Sequence, residues 1–361
     1  MSNNAYCGST DSRPSRIQST TEAPFITAIV GVFDRDQYVG EAIASALDQT
    51  LSPSKYEVLL VSSLEEASLQ RILSELAQTD RTRIRVIPQA PQPVGPFQAA
   101  GSRVATGEVV TILDDDDLWE PTRLQTIYDA FMRYPDLCYF HNGQSFIDER
   151  GIRLRRVAGK KARHARTLGH IPAAELDTAL AMLSSSNADF NTSSIAVRKS
   201  VMLGHASDLI RIDSLQDTFY FYMALVDRGG FFITGEPLTR YRLHEQNASV
   251  KSRGGNLVGL DRAHQHTGRQ LLTLDTVLPS VLATARPSLL KLWKRDHAFI
   301  SLLNQVQGRT ANRRQRIEIV TELARSGLQI DPRTDLKAVL LGLAGVIDPG
   351  LAGLIYSHFR G

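Results

Sequence analysis

The stretch EVVTILDDDDLWEP at residues 108–121 holds the most informative pattern of this chain, an apolar run that ends in four consecutive aspartates. The apolar run is typical of a strand buried on both faces of a parallel sheet. Two unit charges about 4 Å apart repel by ~1 kcal/mol in water and by ~4 kcal/mol at an effective dielectric constant of 20. We therefore expect a cation to compensate the aspartates at residues 114–117, or else a raised pKa for one or more of them.

Similar apolar runs at residues 26–32, 56–61 and 83–87 alternate with segments of helical periodicity. This alternation predicts an α/β fold with a mostly parallel central sheet and right-handed crossovers. Ligands of such folds bind outside the carboxyl ends of the strands, which is where the four aspartates lie. The cluster predicts a site for Mn²⁺ or Mg²⁺, which bind through one or two carboxylates and the phosphates of a substrate. The alternative is a solvated acidic turn that caps the next helix.

The later part of the chain divides into further predicted elements. Strands are expected at residues 137–147, 193–197 and 238–243, and a helix is expected at residues 216–226. Arg240 and Arg242 alternate along the last strand, where they face either phosphates, an acidic acceptor or solvent. We expect a disordered leader at residues 1–24, an α/β domain at residues 25–255 and an α-helical C-terminal domain at residues 256–361.

The charge of the chain is unevenly distributed. Its 41 basic and 38 acidic residues give a net charge of +3, which does not suggest a nucleic-acid binder. Residues 251–361 contain 16 basic and eight acidic residues. We expect this basic part to cover the side of an anionic acceptor or to form a homodimer, with peripheral membrane contact at most. Two cysteines, Cys7 and Cys138, and no apolar run of ~20 residues predict a cytoplasmic protein.

The motifs together resemble those of family 2 glycosyltransferases, which have the GT-A fold and use nucleotide-diphospho-sugar donors. The segment ILDDDDLWEP resembles the family signature of an apolar strand, Asp-x-Asp-Asp, an apolar residue, Trp and Pro. The opening block at residues 26–50 ends in Gln49-Thr50, and a small residue, Thr106, Gly107 and Glu108 precede the aspartate-bearing strand, as in the family. Residues 216–244 resemble its distal block. The resemblance covers residues 25–250.

The resemblance implies metal-dependent, inverting transfer of a sugar from the donor to an acceptor hydroxyl. The metal would be held by Asp116, with help from His244. The residues implied to bind the nucleotide-sugar are Phe33, Asp34, Ser62, Asp114 and Asp115. Asp217 takes the position of the family's general base, where apolar surroundings would raise its pKa toward the working pH. Capping of its own helix is the alternative role of Asp217, and Asp213 is the second candidate base.

Two positions depart from the family pattern. Ser62-Ser63 stands where Asp-Asp is usual, and Gln98-Ala99 stands where Arg-Asn is usual. These departures suggest either a different donor nucleotide or a site that has lost activity, so a non-catalytic nucleotide-sugar binder with the same fold remains the alternative. A nucleotidyltransferase is disfavoured because the chain lacks a Gly-rich phosphate loop with Lys or Arg. The resemblance also suggests that Asp117 orients the following helix rather than binding the metal.

Overall fold

A computed structural model describes residues 24–33, 35–154, 166–244, 257–283 and 285–308, with residues 314, 317, 318 and 321. For residues 79, 257–263 and 306–308 it describes the backbone alone. The expected leader up to residue 23, and with it Cys7, lies outside the described residues, as do Asp34 and most of residues 309–361.

Within the described residues, nine strands form one sheet in the order β3-β2-β1-β4-β8-β6-β9-β5, and β7 pairs with β9. The strands are β1 (Ile26–Val32), β2 (Tyr56–Ser62), β3 (Ile84–Pro88), β4 (Val109–Asp114), β5 (Leu118–Trp119), β6 (Leu137–Ile147), β7 (Gly169–Ile171), β8 (Ile195–Arg198) and β9 (Gly230–Arg242). Strands β1 to β4 are parallel to their neighbours among them, as expected from the crossovers. The later strands add a parallel pair, β6 with β9, and several antiparallel pairs, so the complete sheet is mixed.

Helices cover both faces of the sheet. They are α1 (Val39–Leu47), α2 (Glu66–Glu75), α3 (Gln78–Arg81), α4 (Val94–Val104), α5 (Arg123–Arg133), α6 (Leu176–Ser185), α7 (Lys199–Gly204), α8 (Ala206–Leu209), α9 (Gln216–Asp227), α10 (Leu257–Thr276), α11 (Leu278–Val281) and α12 (Pro287–Gly308). None of these described helices combines the length and the apolar character that crossing a membrane requires.

Two apolar cores lie on opposite sides of the sheet. One core joins β1, β2 and β4 to α1, α2 and α5. The other contains side chains of α4, α6 and α9, and it continues into α10, α11 and α12 through residues such as Leu278 and Leu289. The C-terminal helices described here are therefore packed onto the α/β part through a shared apolar core.

Helix α9 is buried on all sides, because every residue from Thr218 to Leu225 is buried. An α-helix that is apolar all round is found inside a protein rather than on its surface. Helix α9 lies against α7 and α11 as well as strands β6 and β8. Its first turn, which contains Asp217, is consequently held by packing on several sides.

Candidate active site

The four aspartates lie where strand order places a ligand site. Strand β1 is flanked by β2 and β4, so the loops that follow β1 and β4 leave the sheet at the same edge, and Gly31 is paired with Asp114 in register. This is the switch-point geometry at which α/β sheets bind ligands. The backbone N–H of Asp117 donates to the carbonyl oxygen of Asp114 (3.3 Å), so the four residues form a tight turn.

Asp116 is held between an imidazole and a guanidinium. Its Oδ2 lies 2.9 Å from Nε2 of His244 and 3.2 Å from Nη2 of Arg35. The same guanidinium donates to Oδ1 of Asp115 at 2.5 Å. Burial alone would raise the pKa of Asp116, but the contacts with His244 and Arg35 outweigh it and leave that pKa below its ordinary value. The structure thus brings together the two residues predicted to hold the metal.

Asp117 is fully buried, and its carboxylate accepts hydrogen bonds from residues outside the turn. Its Oδ1 accepts from the backbone N–H of Arg242 in β9 (2.9 Å), and its Oδ2 accepts from Nδ2 of Asn191 (3.2 Å). The prediction that Asp117 orients the following helix is therefore wrong, because its partners come from elsewhere in the chain. Burial, and then the charge of Asp116, raises the pKa of Asp117 to about 8.

Asp114 is the aspartate whose charge is least compensated by the groups described. Burial raises its pKa well above the ordinary value, and the charges of Asp117, Asp116, Asp115 and Asp217 add to the effect. A carboxyl group in such surroundings stays ionised at neutral pH only if a cation comes close to it. The expectation that the cluster contains at least one raised pKa is met by both Asp114 and Asp117.

Arg242 fixes the backbone of the acidic turn. Its side chain is fully buried, its Nε donates to the carbonyl oxygen of Asp116 (2.8 Å), and its Nη1 donates to that of Glu149 (3.0 Å). Its Nη2 pairs with Glu41 on α1 (2.7 Å), and its guanidinium stacks on the ring of Tyr38. The five donors of a guanidinium in a rigid fork suit this many partners.

The two arginines of β9 therefore have different environments. Arg240 pairs with Glu120 through two hydrogen bonds of 2.8 and 2.6 Å, and its side chain is 36% exposed. Arg242 is buried beneath the acidic turn. For Arg242, the expectation of a side chain that faces solvent is wrong, since it binds backbone carbonyl oxygens inside the protein.

Asp217, the predicted general base, lies in the first turn of α9. Its Oδ1 accepts from the backbone N–H of Thr218 (2.9 Å), and its Oδ2 accepts from that of Asn191 (3.0 Å). Burial raises the pKa of Asp217, and these N–H donors counteract part of that rise. Leu215, just before the helix, has a φ of 71°, which is strained for a branched side chain and common near active sites. Asp213, the second candidate base, is exposed.

The predicted donor-binding residues occupy the edge beside the turn. Phe33 packs on Phe97 with ring centroids 4.4 Å apart, whereas Asp34 lies outside the described residues. Ser62 is buried, and its Oγ accepts from the backbone N–H of Leu64 (3.1 Å). Ser62 thus organises its own loop while its hydroxyl hydrogen stays available for another acceptor.

Gln98, at the other departure from the family pattern, is buried and bonded to α9. Its Oε1 accepts from the hydroxyl of Tyr220 at 2.5 Å. Tyr220 is one turn along α9 from Asp217, and its pKa is raised by burial and by the charge of Asp114. The resembled pattern has an arginine at this position, which would place a cation here. Gln98 makes a neutral hydrogen bond instead.

Sequence reasoning did not identify Arg35 or Asn191 as site residues. Arg35 follows the carboxyl end of β1, so the strand-end argument that selected the aspartates also applies to it. Asn191 had no such signal, since it precedes the short turn Thr192–Ser194 rather than following a strand. Its contact with Asp217 joins residues 26 positions apart and its contact with Asp117 joins residues 74 positions apart.

The potential metal ligands at the turn are Asp116 and His244. In the described part of the chain, no three His, Cys, Asp or Glu side chains are arranged as a complete metal cage. Magnesium and manganese need less from the protein, because substrate phosphates and water supply several of their ligands. Asp116 and His244, whose side chains touch, offer one carboxylate oxygen and one imidazole nitrogen.

Replacement of Arg242 by lysine is expected to lower the free energy of unfolding by about 2–4 kcal/mol, because buried carbonyl oxygens such as that of Asp116 lose their donors. Urea denaturation measures this change. Arg240→Lys in the same strand is the matched control, and its half-exposed pair with Glu120 should cost about 1 kcal/mol or less. Equal losses in the two variants would contradict the assigned role of Arg242.

The raised pKa of Asp117 predicts a pH-dependent stability in buffer free of divalent cations. The folded protein keeps this carboxyl protonated up to about pH 8, whereas the unfolded chain releases the proton near 3.8. The stabilising contribution is therefore complete below pH 3.8 and is lost as the pH rises toward 8. The unfolding free energy of the wild type should fall relative to Asp117→Asn between pH 5 and 8, by at most about 1.4 kcal/mol per pH unit. Parallel pH profiles of the wild type and Asp117→Asn would contradict the raised pKa of Asp117.

The chain matches the family described as Glycosyl transferase family 2 over residues 27–194. It is 35% identical over 106 residues to an uncharacterized glycosyltransferase of Nostoc sp., a match covering 29% of this chain and 32% of that protein. It is 29% identical over 133 residues to the succinoglycan biosynthesis protein ExoW of Rhizobium meliloti, covering 35% of this chain and 41% of ExoW. The chain thus spans less than half the length of these curated relatives.

Among solved structures, residues 1–349 of S. aureus TarS in complex with UDP-GlcNAc match with a TM-score of 0.54. That match covers 93% of this chain and 91% of TarS 1–349 at 11% sequence identity. A second crystal structure of TarS 1–349 gives a TM-score of 0.52 at 12% identity, with the same coverage. The family match includes the acidic turn and Asn191. Residues 27–194 therefore match the family 2 glycosyltransferase model, in a chain with the GT-A fold.

Proposed function

We propose that this protein is a metal-dependent, inverting glycosyltransferase that moves a sugar from a nucleotide-diphospho-sugar to an acceptor hydroxyl. The observation that carries the proposal is the connection between Asp117 of the acidic turn and Asp217, both of which bind Asn191. A cluster suited to a cation and diphosphate therefore lies next to a partly buried carboxylate that can accept a proton. Sugar transfer needs both the acidic turn and the proton acceptor.

The donor proposal is supported by the acidic turn and by the fold. TarS, which shares the fold, is described in complex with UDP-GlcNAc. A nucleoside diphosphate is a strong polyanion, so its approach to four aspartates requires a cation between them. The sugar and the nucleotide are left open by this reasoning, and Ser62 in place of the usual aspartate leaves guanosine and thymidine donors as alternatives to uridine.

The residues around the turn fit a divalent cation. Burial, and then the charges of the neighbouring carboxyl groups, raise the pKa values of Asp114 and Asp117, and a nearby cation would relieve the repulsion between these charges. Asp116 and His244 would hold Mn²⁺ or Mg²⁺, with substrate phosphates as further ligands. When bound, the ion would neutralise charge on the departing diphosphate. Arg35 already supplies one positive charge to Asp115 and Asp116.

Asp217 would act as the general base. The acceptor oxygen forms a bond to the anomeric carbon while the bond from that carbon to the diphosphate oxygen breaks, and the leaving nucleoside diphosphate takes the electron pair. The acceptor hydroxyl gives its proton to Asp217. Attack opposite the leaving group inverts the anomeric centre. The two backbone N–H donors use one lone pair on each carboxylate oxygen and leave others for the acceptor hydroxyl.

A non-catalytic nucleotide-sugar binder is the second candidate, favoured by the departures at Ser62 and Gln98. Both residues are buried and hydrogen-bonded, so their substitution has been accommodated by the structure around them. A thermal-shift screen of UDP-, GDP- and dTDP-sugars with Mn²⁺ selects the donor, since a ligand at 100 Kd adds ~2.7 kcal/mol of stability. Binding without turnover across a broad acceptor panel would favour this second candidate.

Replacement of Asp217 by asparagine should lower kcat by roughly 10²–10⁴-fold, because the acceptor hydroxyl loses its proton acceptor. The donor Kd should change little, since the nearest donor-side groups are unaltered. Transfer is measured with the donor selected by the screen. Asp213→Asn is the matched control, four residues earlier and exposed. Full activity of Asp217→Asn, or a comparable loss in Asp213→Asn, would overturn the assignment of the base.

Removal of divalent cations with EDTA should abolish transfer, and Mn²⁺ or Mg²⁺ should restore it. Asp116→Asn should need at least roughly tenfold more Mn²⁺ for half-maximal activity, because a charged ligand becomes neutral. Binding of Mn²⁺ alone, followed by electron paramagnetic resonance, should weaken in parallel. Asp36→Asn is the control, since Asp36 is a half-exposed aspartate near the same loop that pairs with Arg71. Activity independent of added cations would contradict the metal assignment.

A further inference from the structure

The segment at residues 191–194 contacts both halves of the candidate active site. Nδ2 of Asn191 donates to Asp117 (3.2 Å), and the backbone N–H of the same residue donates to Asp217 (3.0 Å). The hydroxyl of Ser193 accepts from the backbone N–H of Asp114 at 3.1 Å. One short segment thus binds the first and last aspartates of the turn and the candidate base.

Asn191 has a backbone conformation that its side chain maintains. Its φ of 67° and ψ of 107° lie outside the regions that most residues adopt, and conformations of this kind cost on the order of 1–3 kcal/mol. Its Oδ1 accepts from the backbone N–H of Ser193 (2.9 Å), and the residue is 5% exposed. The side chain is therefore anchored at both ends, to Asp117 through Nδ2 and to the following turn through Oδ1.

We propose that Asn191 is a positioning residue that couples the acidic turn to the base: its anchored side chain keeps its own backbone N–H on Oδ2 of Asp217. This inference rests on the proposed function, because it assigns Asn191 a role only through Asp217. The hydrogen bond fixes the rotation of the carboxylate, and with it the direction of the lone pairs that meet the acceptor hydroxyl. A misplacement of about 1 Å at such a group costs up to roughly 100-fold in rate.

The coupling also has a direction. Donor and cation bind against the turn, and any shift of Asp117 moves the amide of Asn191 with it. The side-chain amide that binds Asp117 and the backbone N–H that orients Asp217 belong to the same residue, Asn191. A displacement of the turn would therefore reach the hydrogen bond that orients Asp217.

Asn191→Gly tests the proposal, because glycine accepts a positive φ and keeps the backbone N–H while losing the anchored side chain. We expect kcat to fall by roughly 10–100-fold with the donor KM and the Mn²⁺ affinity within about threefold of the wild type. Asn187→Gly is the matched control, since Asn187 has a φ of 58° four residues earlier and carries no assigned role at the site.

Asn191→Asp provides a second variant if the glycine variant does not fold. It keeps the shape and the oxygen that accepts from Ser193, but it places a carboxylate against Asp117 in place of an amide donor. The expected loss is again in kcat. Wild-type kcat in either folded variant, or a loss that appears equally in donor affinity, would overturn the proposal.

Asp217→Asn, measured alongside, separates this inference from the proposed function. If Asp217→Asn retains activity, the assignment of the base fails, and the role of Asn191 fails with it. If Asp217→Asn is inactive while both folded Asn191 variants keep the wild-type kcat, only the coupling fails. A fall in kcat for the Asn191 variants and not for Asn187→Gly supports it.

Discussion

The hydrogen bonds from Arg242 to the acidic turn are the interactions on which the rest of the site depends. The guanidinium holds the carbonyl oxygen of Asp116, and the backbone N–H holds the carboxylate of Asp117. Four carboxyl groups in succession repel one another, so a turn that contains them needs an internal cation beneath it to keep its shape. Glu41 on α1 pairs with the same guanidinium and fixes it in turn.

The remaining contacts divide the four aspartates into two functional pairs. Arg35 and His244 bind the carboxylates of Asp115 and Asp116, and the pKa of Asp116 is lowered as a result. Asp114 and Asp117 have raised pKa values, because burial and like charges dominate their surroundings. An incoming cation would therefore meet Asp116, whose pKa is lowered, next to Asp114 and Asp117, whose raised pKa values its charge would lower. The pKa values of adjacent residues are shifted in opposite directions because their partners differ.

The sequence predicted what local patterns determine. Strand β1 was predicted with its observed bounds, since its apolar run ends where burial ends. Strand β6 was also predicted with its observed bounds, although it contains buried polar residues such as His141 and Asn142. The aspartates were located by their position after a strand. The roles of Arg242 and Asn191 depend on contacts with residues far away in the chain, which no local pattern contains. For Asp117, the preference of aspartate for helix starts suggested that its carboxylate binds the following helix. In the structure, its partners are distant residues instead.

The C-terminal helices also contact α9, the helix that begins near Asp217. The excess of basic residues after residue 250 suggested an anionic acceptor, yet in the described part Arg286 pairs with Asp177, and Arg295 pairs with Asp296. Asp296 in turn accepts from the hydroxyl of Tyr222 (2.7 Å), which lies on the same helix as Asp217. Helix α12 therefore holds the middle of α9 while Asn191 holds its beginning. Because Asp296 bonds to the middle of α9 and Asn191 to its first turn, the orientation of Asp217 depends on the C-terminal helices as well as on the acidic turn.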